Sequence, residues 1–400
     1  MNIAIIINEL DVCGGTHKQV LRLAQYLLKK GHQITIVTRF FDDEKTYPEF
    51  KDMDVRYLYE KNIPVFYKSD VLSKIKQKKR AFDDAYELMK KVPQDCDIVN
   101  LHDKGIFLTI LLLKLSLTKK FKFVWQLNDL PYCFHVGVHE NVGESKRQKI
   151  ERSFFKFFAK KTDQITVNVT KNAERVKQCF NREAKVFYCG VDINENLRKH
   201  SYNIKDNTVR ILSSGVFFPY RNYESLVDVI ENLKRKNVNV HLDVIGSTEF
   251  DKEYSTKIKN LIKEKQLENE ITIWGQVDDE KYVELHNQAD MFAFININQS
   301  WGLAVFEAMS CGLPVIVSES VGAIELLHND EDAIIVDPEN IEQVSNVVLK
   351  LMNDKDYYNK ISENAYNAVK EFTWDKLYSE KMLGLFEELI KKWCFKTLSL

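Results

Sequence analysis

The stretch with the clearest chemical content is QSWGLAVFEAMSCGLPVIVS, which runs from Gln299 to Ser318. A glycine turn opens it, a short apolar helix carrying one carboxylate follows, and a β-branched run ends it. Gly302 and Leu303 lie where the helix should start, so their backbone N–H groups could hold a phosphate or sugar hydroxyls. Glu307 lies one turn later on the same face, where a carboxylate can accept two hydrogen bonds from a ribose cis-diol. The competing interpretation is a solvent-facing glutamate that binds no ligand.

A second candidate lies near the N-terminus, where Gly14 and Gly15 separate the predicted strand NIAIIIN from the predicted helix KQVLRLAQYLLKKG. Glycine lets a backbone approach a ligand closely, and the start of a helix presents free N–H groups to an anion. The pattern lacks the third glycine of a dinucleotide site, and Arg39 stands where such a site would carry an acidic residue. The pair therefore indicates either a phosphate-binding turn or a simple turn, and it argues against a dinucleotide.

These residues need a scaffold, and the alternation of strands and helices predicts two successive α/β units. The strands are short, apolar and bounded by polar residues, which is typical of parallel sheets buried on both faces. A second cycle begins near Val209, and the polar segment from Asn194 to Asn207 is the predicted linker. We therefore predict an N-terminal unit over residues 1–193 and a C-terminal unit over residues 194–373.

The composition is that of an ordinary globular protein of two domains. The chain has 400 residues, of which 44% are hydrophobic and 29% charged. Its seven cysteines form no CxxC pair, which predicts free thiols in a reducing cytoplasm and neither a disulfide framework nor a zinc site. The N-terminus lacks the basic start of a signal peptide, and the longest apolar segment, GIFLTILLLKLSL, is too short to span a bilayer.

Charge is distributed unevenly along the chain. Residues 1–200 carry 36 Lys and Arg against 25 Asp and Glu, which leaves +11, and residues 201–400 carry 21 against 33, which leaves −12. The basic half therefore either meets an anionic partner or reflects drift in a lysine-rich composition. Part of its charge lies in a basic run that comprises Lys74, Lys76, Lys78, Lys79 and Arg80.

The segment KIERSFFKFFAKK predicts a helix with two distinct stripes. One wide apolar arc holds Ile150, Phe154, Phe155, Phe157 and Phe158. A separate basic stripe holds Lys149, Arg152, Lys156 and Lys160. This pattern fits either a helix packed on the sheet with a solvated back or an interfacial helix that rests on anionic lipid.

The opening stretch resembles the retaining GT-B glycosyltransferases of family 4, whose hallmark is two acidic residues eight positions apart in a conserved glycine-rich setting. The matching positions are Gly302, Leu303, Glu307, Ala308, Met309, Cys311, Gly312 and Pro314. The sequence departs from the family at the first acidic position, which is Gln299. Further resemblance lies in GQVDDEKYVELHNQADMFAF, in VGAIELL, in CGVD and in the terminal segment FTWDKLYSEKMLGLFEELIKK.

This resemblance implies an α/β fold of the GT-B type, with two Rossmann-like domains facing each other across a cleft. Residues 1–193 would form the acceptor-side domain, and residues 194–373 would form the domain that binds the nucleotide-sugar donor. A C-terminal helix over residues 374–394 would cross back onto the first domain.

The resemblance also implies roles for donor-side residues. Glu307 would bind the nucleotide ribose, and Gln299 would face the transferred sugar as a neutral hydrogen-bonding group. The family carries two cations for the donor diphosphate, whereas this chain has Val216 at the first position and Arg221 at or near the second. Arg221 can bind phosphate through two hydrogen bonds, which would partly cover the loss. A surface role for Arg221 is the alternative. Gly246, which ends the predicted strand VHLDVIG, is assigned to the same donor site together with Gly14, Gly15, Gly302 and Leu303.

In the first domain, Asn128 ends the strand VWQLN near the position where the family often has a histidine beside the donor sugar. His102 ends the preceding strand, and the carboxyl ends of strands are where open α/β sheets place their ligands. We therefore predict that Asn128 and His102 orient the sugar, although a lone histidine is more often structural. Asp129 would serve either as a helix or loop cap or as part of this site.

The implied activity is glycosyl transfer from a nucleotide-diphosphate sugar to a hydroxyl acceptor, without a metal or cofactor. Two DxD spacings, Asp52 to Asp54 and Asp95 to Asp97, are interpreted as loop charges. The implied partners are a nucleotide-sugar donor and a glycan or lipid-linked acceptor of the cell surface, with no nucleic acid. The predicted location is the cytoplasm, at the inner face of the membrane if the basic half contacts anionic lipid. The alternatives are a catalytically weak nucleotide-sugar-binding partner subunit and a GT-B sugar epimerase.

Overall fold

The computed structural model describes residues 1–61, 71–102, 104–118, 121–131, 146–193, 197, 202–298 and 301–398. They form two compact units, one of Met1–Cys189 with Trp374–Leu400 and one of Gly190–Thr373. Gln299 and half of the predicted linker lie outside the described residues. Among the helices described, none is both long enough and apolar enough to cross a membrane.

The first unit is built on a parallel sheet of seven described strands in the order β3-β2-β1-β4-β5-β6-β7. Its strands are β1 (Asn2–Leu10), β2 (Gln33–Phe41), β3 (Asp54–Tyr59), β4 (Ile98–Leu101), β5 (Lys122–Leu127), β6 (Gln164–Val167) and β7 (Ala184–Val186). Its helices are α1 (Gly15–Lys29), α2 (Val71–Lys91), α3 (Ile106–Thr118), α4 (Lys146–Lys161) and α5 (Thr170–Phe180). The strand–glycine loop–helix–strand unit at the N-terminus is confirmed, because β1 pairs in parallel with β2 along its length.

The crossovers of this sheet sort its helices onto two faces. The chain moves from β1 to β2 through α1, but from β3 to β4 and on to β7 it moves in the opposite direction through α2, α3, α4 and α5. Right-handed crossovers therefore place α1 on one face and the other four helices on the opposite face. Packing of α3 against both α2 and α4 agrees with this arrangement.

The chain returns to the first unit after residue 373. A π-helical turn, Asp375–Ser379, leads into α12 (Glu380–Leu398), where a helix over residues 374–394 was predicted. The turn and α12 both pack against α1. On the edge strand β7, Lys185 forms an ion pair of 2.8 Å with Glu388 of α12. The C-terminal helix is thus part of the first unit.

The second unit is built on a parallel sheet of six described strands in the order β10-β9-β8-β11-β12-β13. Its strands are β8 (Thr208–Ser214), β9 (Asn239–Ile245), β10 (Ile271–Gly275), β11 (Met291–Phe294), β12 (Val315–Ser318) and β13 (Ile334–Val336). Its helices are α6 (Tyr223–Arg235), α7 (Lys252–Glu264), α8 (Asp279–Gln288), α9 (Leu303–Ser310), α10 (Ile341–Asn353) and α11 (Lys355–Val369).

Side-chain caps fix where several helices of the second unit begin. Asp251, Asp278 and Asp354 each accept a hydrogen bond from the backbone N–H three residues later, at 2.8–2.9 Å. Each cap satisfies a donor that the first turn of a helix leaves unpaired. The order of strands changes direction at β8, whose neighbours are β9 and β11. Ligand sites of open α/β sheets lie at the carboxyl ends of the strands beside such a switch.

Candidate active site

Glycines follow or end three adjacent strands of the second unit, at the carboxyl edge of the sheet. Gly215 follows β8 with φ of +155°, Gly246 follows β9 with φ of +148°, and Gly275 ends β10 with φ of +71°. The backbones approach so closely that a Cβ on Gly246 would lie 2.0 Å from the carbonyl oxygen of Gly215. Only glycine fits at Gly246, both for its backbone conformation and for its space. This edge therefore presents bare backbone.

Arg221 lies directly on this edge. A Cβ on Gly215 would lie 2.4 Å from Cζ of Arg221, so the guanidinium rests against the Cα of Gly215. The same Cζ lies 5.2 Å from the centroid of the Tyr220 ring and 5.6 Å from that of Phe294. Guanidinium groups stack favourably on aromatic faces, which restricts the rotamers of the long side chain. Arg221 is thus a positioned cation at the carboxyl edge, whereas Val216 supplies no charge.

A left-handed turn holds the backbone beside Arg221. Arg221 ends a short 3-10 helix, Pro219–Arg221, and the buried Asn222 that follows adopts φ of +55° before α6 begins. The side-chain amide of Asn222 donates to the carbonyl oxygens of Ile295 and Pro338, at 3.2 and 3.0 Å. These two bonds tie the turn to the segments that follow β11 and β13. The position of Arg221 is therefore set by the sheet.

Gly302 begins α9 next to the same aromatic ring. Its φ of +139° suits glycine, and a Cβ there would lie 3.1 Å from both Cε1 of Phe294 and Cγ1 of Val321. Arg221 also contacts the Phe294 ring, so Gly302 and Arg221 pack against the same side chain at the end of β11. The structure thus brings Gly215, Gly246, Arg221 and Gly302 together, and the N-terminal end of α9 lies there as well.

Glu307 lies on the partly exposed face of α9. Leu303, Ala304 and Glu307 are half-buried, while the other residues of this helix are buried. Glu307 therefore shares a face with Leu303, as the spacing predicts, and its binding of a ligand stays a prediction. The Tyr282 hydroxyl on α8 donates to Oε2 of Glu307 at 3.0 Å. A hydrogen bond from a neutral donor to a carboxylate is charge-assisted, so Tyr282 restricts the orientation of this side chain.

Sequence reasoning missed Tyr282, and a second aromatic ring accompanies it. The His286 ring lies 4.1 Å from the ring of Tyr282, and Nδ1 of His286 donates to the carbonyl oxygen of Tyr282 at 2.8 Å. Burial lowers the pKa of His286, so this imidazole is neutral near pH 7. The i,i+4 spacing in DEKYVELHNQA is the signal that could have suggested the stack, but nothing local points to Glu307.

The loop that leads toward Gln299 is anchored through one serine. The Ser320 hydroxyl donates to the carbonyl oxygen of Asn296 at 3.0 Å and accepts from the backbone N–H of Asn298 at 3.1 Å. On the other side, Trp301 is buried. Gln299 itself lies outside the described residues, so its predicted contact with the donor sugar stays a prediction.

In the first unit, Gly14 and Gly15 lie where α1 begins. Gly14 has an ordinary extended backbone, with φ of −122°, so its conformation does not require glycine. The His17 ring packs against it, and Nε2 of His17 lies 2.9 Å from the carbonyl oxygen of Glu9. Burial lowers the pKa of His17. The imidazole therefore closes the turn as a neutral group, and the predicted anion site at the glycine pair stays a prediction.

Asn128 is held in a network of hydrogen bonds inside the first unit. Its Nδ2 donates to Oγ1 of Thr16 at 3.1 Å and to Oε1 of Gln19 at 2.8 Å, both on α1. Its Oδ1 accepts from Nε2 of Gln126 at 2.9 Å, and its backbone carbonyl accepts from Nδ2 of Asn172 at 2.7 Å. Both amide hydrogens are thus engaged, and the residue ties the end of β5 to the first turns of α1.

His102 is buried at the end of β4. Its Nε2 lies 2.8 Å from Oδ1 of Asn100, and burial lowers its pKa to about 3. The imidazole is therefore neutral near pH 7, and Nε2 donates to the amide oxygen. A charged role for His102 is ruled out by this environment, while the predicted contact with the sugar stays a prediction. Asp129 follows Asn128 as an exposed residue.

One member of each acidic pair with DxD spacing makes a structural hydrogen bond, and Asp54 begins β3, so its interpretation as a loop charge is wrong. Asp54 accepts a hydrogen bond from Oγ1 of Thr35 at 2.9 Å, and Asp97 accepts from the backbone N–H of Asn2 at 2.8 Å. Across the described part of the chain, no group of three His, Cys, Asp or Glu side chains is arranged to hold a metal ion.

Two family models match consecutive parts of the chain. One, described as Glycosyltransferase Family 4, matches residues 13–195, and the other, described as Glycosyl transferases group 1, matches residues 194–368. The chain is a GT-B glycosyltransferase of family 4. The resemblance to family 4 is thus confirmed, and so is the prediction that this protein is a transferase.

Curated relatives match this glycosyltransferase at low identity. A probable sucrose-phosphate synthase of Thermosipho melanesiensis is 24% identical over 402 residues, which cover 94% of this chain and 91% of the relative. The mannosylfructose-phosphate synthase of Agrobacterium fabrum is 24% identical over 182 residues, or 44% of this chain. That match covers 40% of the relative, so this glycosyltransferase spans less than half of its length.

Solved structures show the same fold along nearly the whole chain. The sucrose-phosphate synthase from Thermosynechococcus elongatus superposes with a TM-score of 0.77 at 17% identity, covering 98% of this glycosyltransferase and 100% of that chain. Anabaena HepE, solved in complex with UDP and glucose, gives a TM-score of 0.71 at 16% identity, with coverage of 97% and 99%. The GT-B fold expected from the sequence is therefore confirmed.

Proposed function

We propose that this glycosyltransferase moves a sugar from a nucleotide-diphosphate sugar to a hydroxyl acceptor, with retention of the anomeric configuration. The observation that carries the proposal is the shared position of Arg221, Gly302 and the first turn of α9 around the ring of Phe294. One cation and the N-terminal end of α9 lie together at a strand edge, which is an arrangement that suits a diphosphate.

The donor nucleotide is assigned to the second unit. Glu307 would accept two hydrogen bonds from the ribose diol, because it lies on the half-buried face of α9 and Tyr282 fixes its orientation. The Gly215 and Gly246 edge supplies backbone close to the ligand, since Gly246 has no room for a side chain and Gly215 lies under the guanidinium of Arg221. UDP is the first nucleotide to test, because HepE binds UDP and shares the fold.

The chemistry requires stabilisation of a departing diphosphate. In the proposed step, the bond between the anomeric carbon and the diphosphate oxygen breaks, and the acceptor oxygen bonds to the same face of that carbon. The acceptor proton passes to the leaving phosphate oxygen, so no residue is needed as a covalent nucleophile. Arg221 and the amides at the start of α9 would stabilise the charge that develops on the leaving group. Gln299, Asn128 and His102 would orient the sugar through neutral hydrogen bonds, and no metal is invoked.

The acceptor is proposed to be a hydroxyl of a glycan or lipid-linked molecule of the cell surface, met by the first unit. Support comes from the basic character of that half of the chain. The alternative is a catalytically weak partner subunit that binds the donor, which the departures at Gln299 and Val216 favour. Transfer of sugar to an added acceptor would separate the two, and sugar interconversion without an acceptor would indicate the epimerase.

A thermal-shift screen with UDP, GDP and ADP, and then with their sugars, tests the donor site. A ligand that binds the folded state raises its melting temperature. We expect one nucleotide to raise the Tm of the wild type and of Glu363→Ala, which changes an exposed glutamate on α11, but not of Glu307→Ala. Equal shifts in all three proteins, or no shift at millimolar nucleotide, would remove Glu307 from the donor site.

A further inference from the structure

Exposed large apolar side chains concentrate on three adjacent helices of the first unit. Of the twelve that the described residues expose, eight lie on α2, α3 and α4. These eight are Leu72, Ile75, Phe82, Tyr86, Leu117, Ile150, Phe154 and Phe157. The three helices pack side by side on one face of the sheet. Single exposed apolar residues are ordinary, but such a concentration marks an interaction surface. We call it the α2–α4 face.

The burial of α4 shows how much of its apolar arc packs on the sheet and how much is exposed. Phe155 and Phe158 are buried, and the Phe155 ring stacks on Trp125 of the sheet at 5.9 Å. Ile150, Phe154 and Phe157 follow one another at i, i+4 and i+7 and are 58%, 46% and 53% exposed. The helix therefore packs on the sheet with one part of the arc and presents a second apolar stripe outward.

Helix α2 presents a similar stripe. Leu72, Ile75, Phe82 and Tyr86 recur at helical spacing and are 44–71% exposed, with the exposed Lys79 on the same line. Between α2 and α3 lies a groove of about 430 Å³. Its lining includes Phe82, Tyr86, Met89, Leu111, Lys114 and Leu115. The face thus combines projecting apolar side chains with an apolar groove.

The excess positive charge of the chain's first half lies in the three helices that form this face. Helices α2, α3 and α4 together carry fifteen basic and four acidic residues. The rest of residues 1–200 carries 21 of each sign, so these helices account for the whole +11. Compositional drift would not confine the excess to three adjacent helices. Exposed lysines flank both stripes, among them Lys76 and Lys78 on α2 and Lys149 and Lys156 on α4.

We propose that the α2–α4 face docks on an anionic lipid bilayer. Twelve of its fifteen basic residues are lysines, and lysine is depleted at protein–protein interfaces. A nucleic acid would use the charge but not the aliphatic side chains. Apolar stripes flanked by lysine are what an interfacial helix requires, because the stripe enters the acyl boundary while the lysines meet lipid phosphates. The proposal does not depend on the transfer reaction.

Flotation of the full chain with vesicles tests the proposal. We expect binding to phosphatidylcholine vesicles that contain 30% phosphatidylglycerol at 50 mM salt, weaker binding at 500 mM salt, and little binding to pure phosphatidylcholine. Each lysine near an anionic leaflet contributes about fivefold in affinity, so Lys149→Gln, Lys156→Gln and Lys160→Gln together should weaken binding about a hundredfold. The pair Phe154→Ser and Phe157→Ser should weaken it at least about tenfold.

The matched control pair is Leu28→Ser with Phe250→Ser, which removes exposed apolar side chains outside the face. Its vesicle binding should stay within about twofold of the wild type. Three results would overturn the proposal: no binding to anionic vesicles at 50 mM salt, unchanged binding in both α4 variants, or equal loss in the control pair. A dimer seen by light scattering and abolished by the serine pair would instead assign the face to a second copy of the chain. The glutamine variant keeps the test valid if the serine pair fails to fold.

Discussion

Replacing Gly246 by alanine tests the backbone arrangement at the proposed donor site most directly. The new Cβ would lie 2.0 Å from the carbonyl oxygen of Gly215 and 2.5 Å from its carbonyl carbon. These are backbone atoms, so relief requires the ends of β8 and β9 to separate by about 1.5 Å to reach ordinary contact distances. That movement strains the hydrogen bond of 2.8 Å from the Gly215 N–H to the Ile245 carbonyl oxygen.

The cost can be worked out from two contributions. A non-glycine residue at φ of +148° costs about 1–2 kcal/mol, and weakening the Gly215 to Ile245 hydrogen bond adds about 1 kcal/mol. We therefore expect Gly246→Ala to destabilise the second unit by about 2–3 kcal/mol. For a unit of this size, that lowers the Tm by roughly 4–12 °C. Displacement of Gly215 should also weaken nucleotide binding, because Arg221 rests on that residue.

Two other glycines separate strain from overlap. Gly275 lies on the same edge with φ of +71°, and a Cβ there would meet no atom within 4 Å. Gly275→Ala should therefore cost only the strain of about 1 kcal/mol, or roughly 2–4 °C. Gly384 lies inside α12 with open space around it, so Gly384→Ala should stabilise the first unit by about 0.5–1 kcal/mol. Scanning calorimetry measures all three. If Gly246→Ala lowers the Tm no more than Gly275→Ala, the close approach of β8 and β9 is wrong.

Three further predictions concern single side chains. Tyr282→Phe removes the hydroxyl that orients Glu307, so calorimetric titration should show nucleotide affinity reduced about threefold to tenfold, and unchanged affinity would deny Tyr282 a positioning role. In Gly215→Ala, a Cβ would lie within 2.6 Å of three guanidinium atoms of Arg221, whose flexible end should swing away. Gly215→Ala should bind a nucleoside diphosphate as weakly as Arg221→Ala does, and the double variant should bind it no more weakly than either single variant. Additive losses of affinity in the double variant would contradict this reasoning. The pKa of His102 is about 3 against an ordinary value of 6.5, so between these values the unfolded chain binds a proton that the folded chain does not. The stabilisation from the neutral His102 is complete above pH 6.5 and is lost as the pH falls. Between pH 7 and 5 the free energy of unfolding of the wild type should therefore fall by about 2 kcal/mol more than that of His102→Asn. Parallel Tm profiles of the two proteins would count against burial of His102.

The sequence predicted the donor-side scaffold well because its signals are local. The start of α9 at Leu303, the half-buried face with Glu307 and the parallel strand–helix–strand units all follow from periodicity and glycine placement within a few residues. The predicted role of Arg221 at the diphosphate stays a prediction, and the stacking that positions it comes from Phe294, more than seventy residues away.

What the sequence could not show depends on residues that are distant along the chain. The bond from Tyr282 to Glu307 joins two helices, and the overlap that excludes a side chain at Gly246 comes from a neighbouring strand. The apolar arc of α4 is one stripe by periodicity, yet the sheet covers only part of it, because the width of a contact depends on packing and not on spacing. The hydrogen bonds from Nδ2 of Asn128 to Thr16 and Gln19 could not be predicted either, because their partners lie on α1, far away along the chain.

The resemblance implies that Gln299 stands where the family has a carboxylate and Val216 where it has a cation, so the departures affect charged side chains. The backbone of the proposed donor site has glycine at three positions of positive φ, Gly215, Gly246 and Gly302. We expect such a site to retain its affinity for the nucleotide, because that affinity would depend on Glu307 and on the backbone amides at the start of α9. The stabilisation of the leaving diphosphate then rests on Arg221 and the amides at the start of α9. A stacked guanidinium with a planar set of donors suits that task better than a flexible ammonium group, because less rotamer freedom remains to be lost when the charge develops.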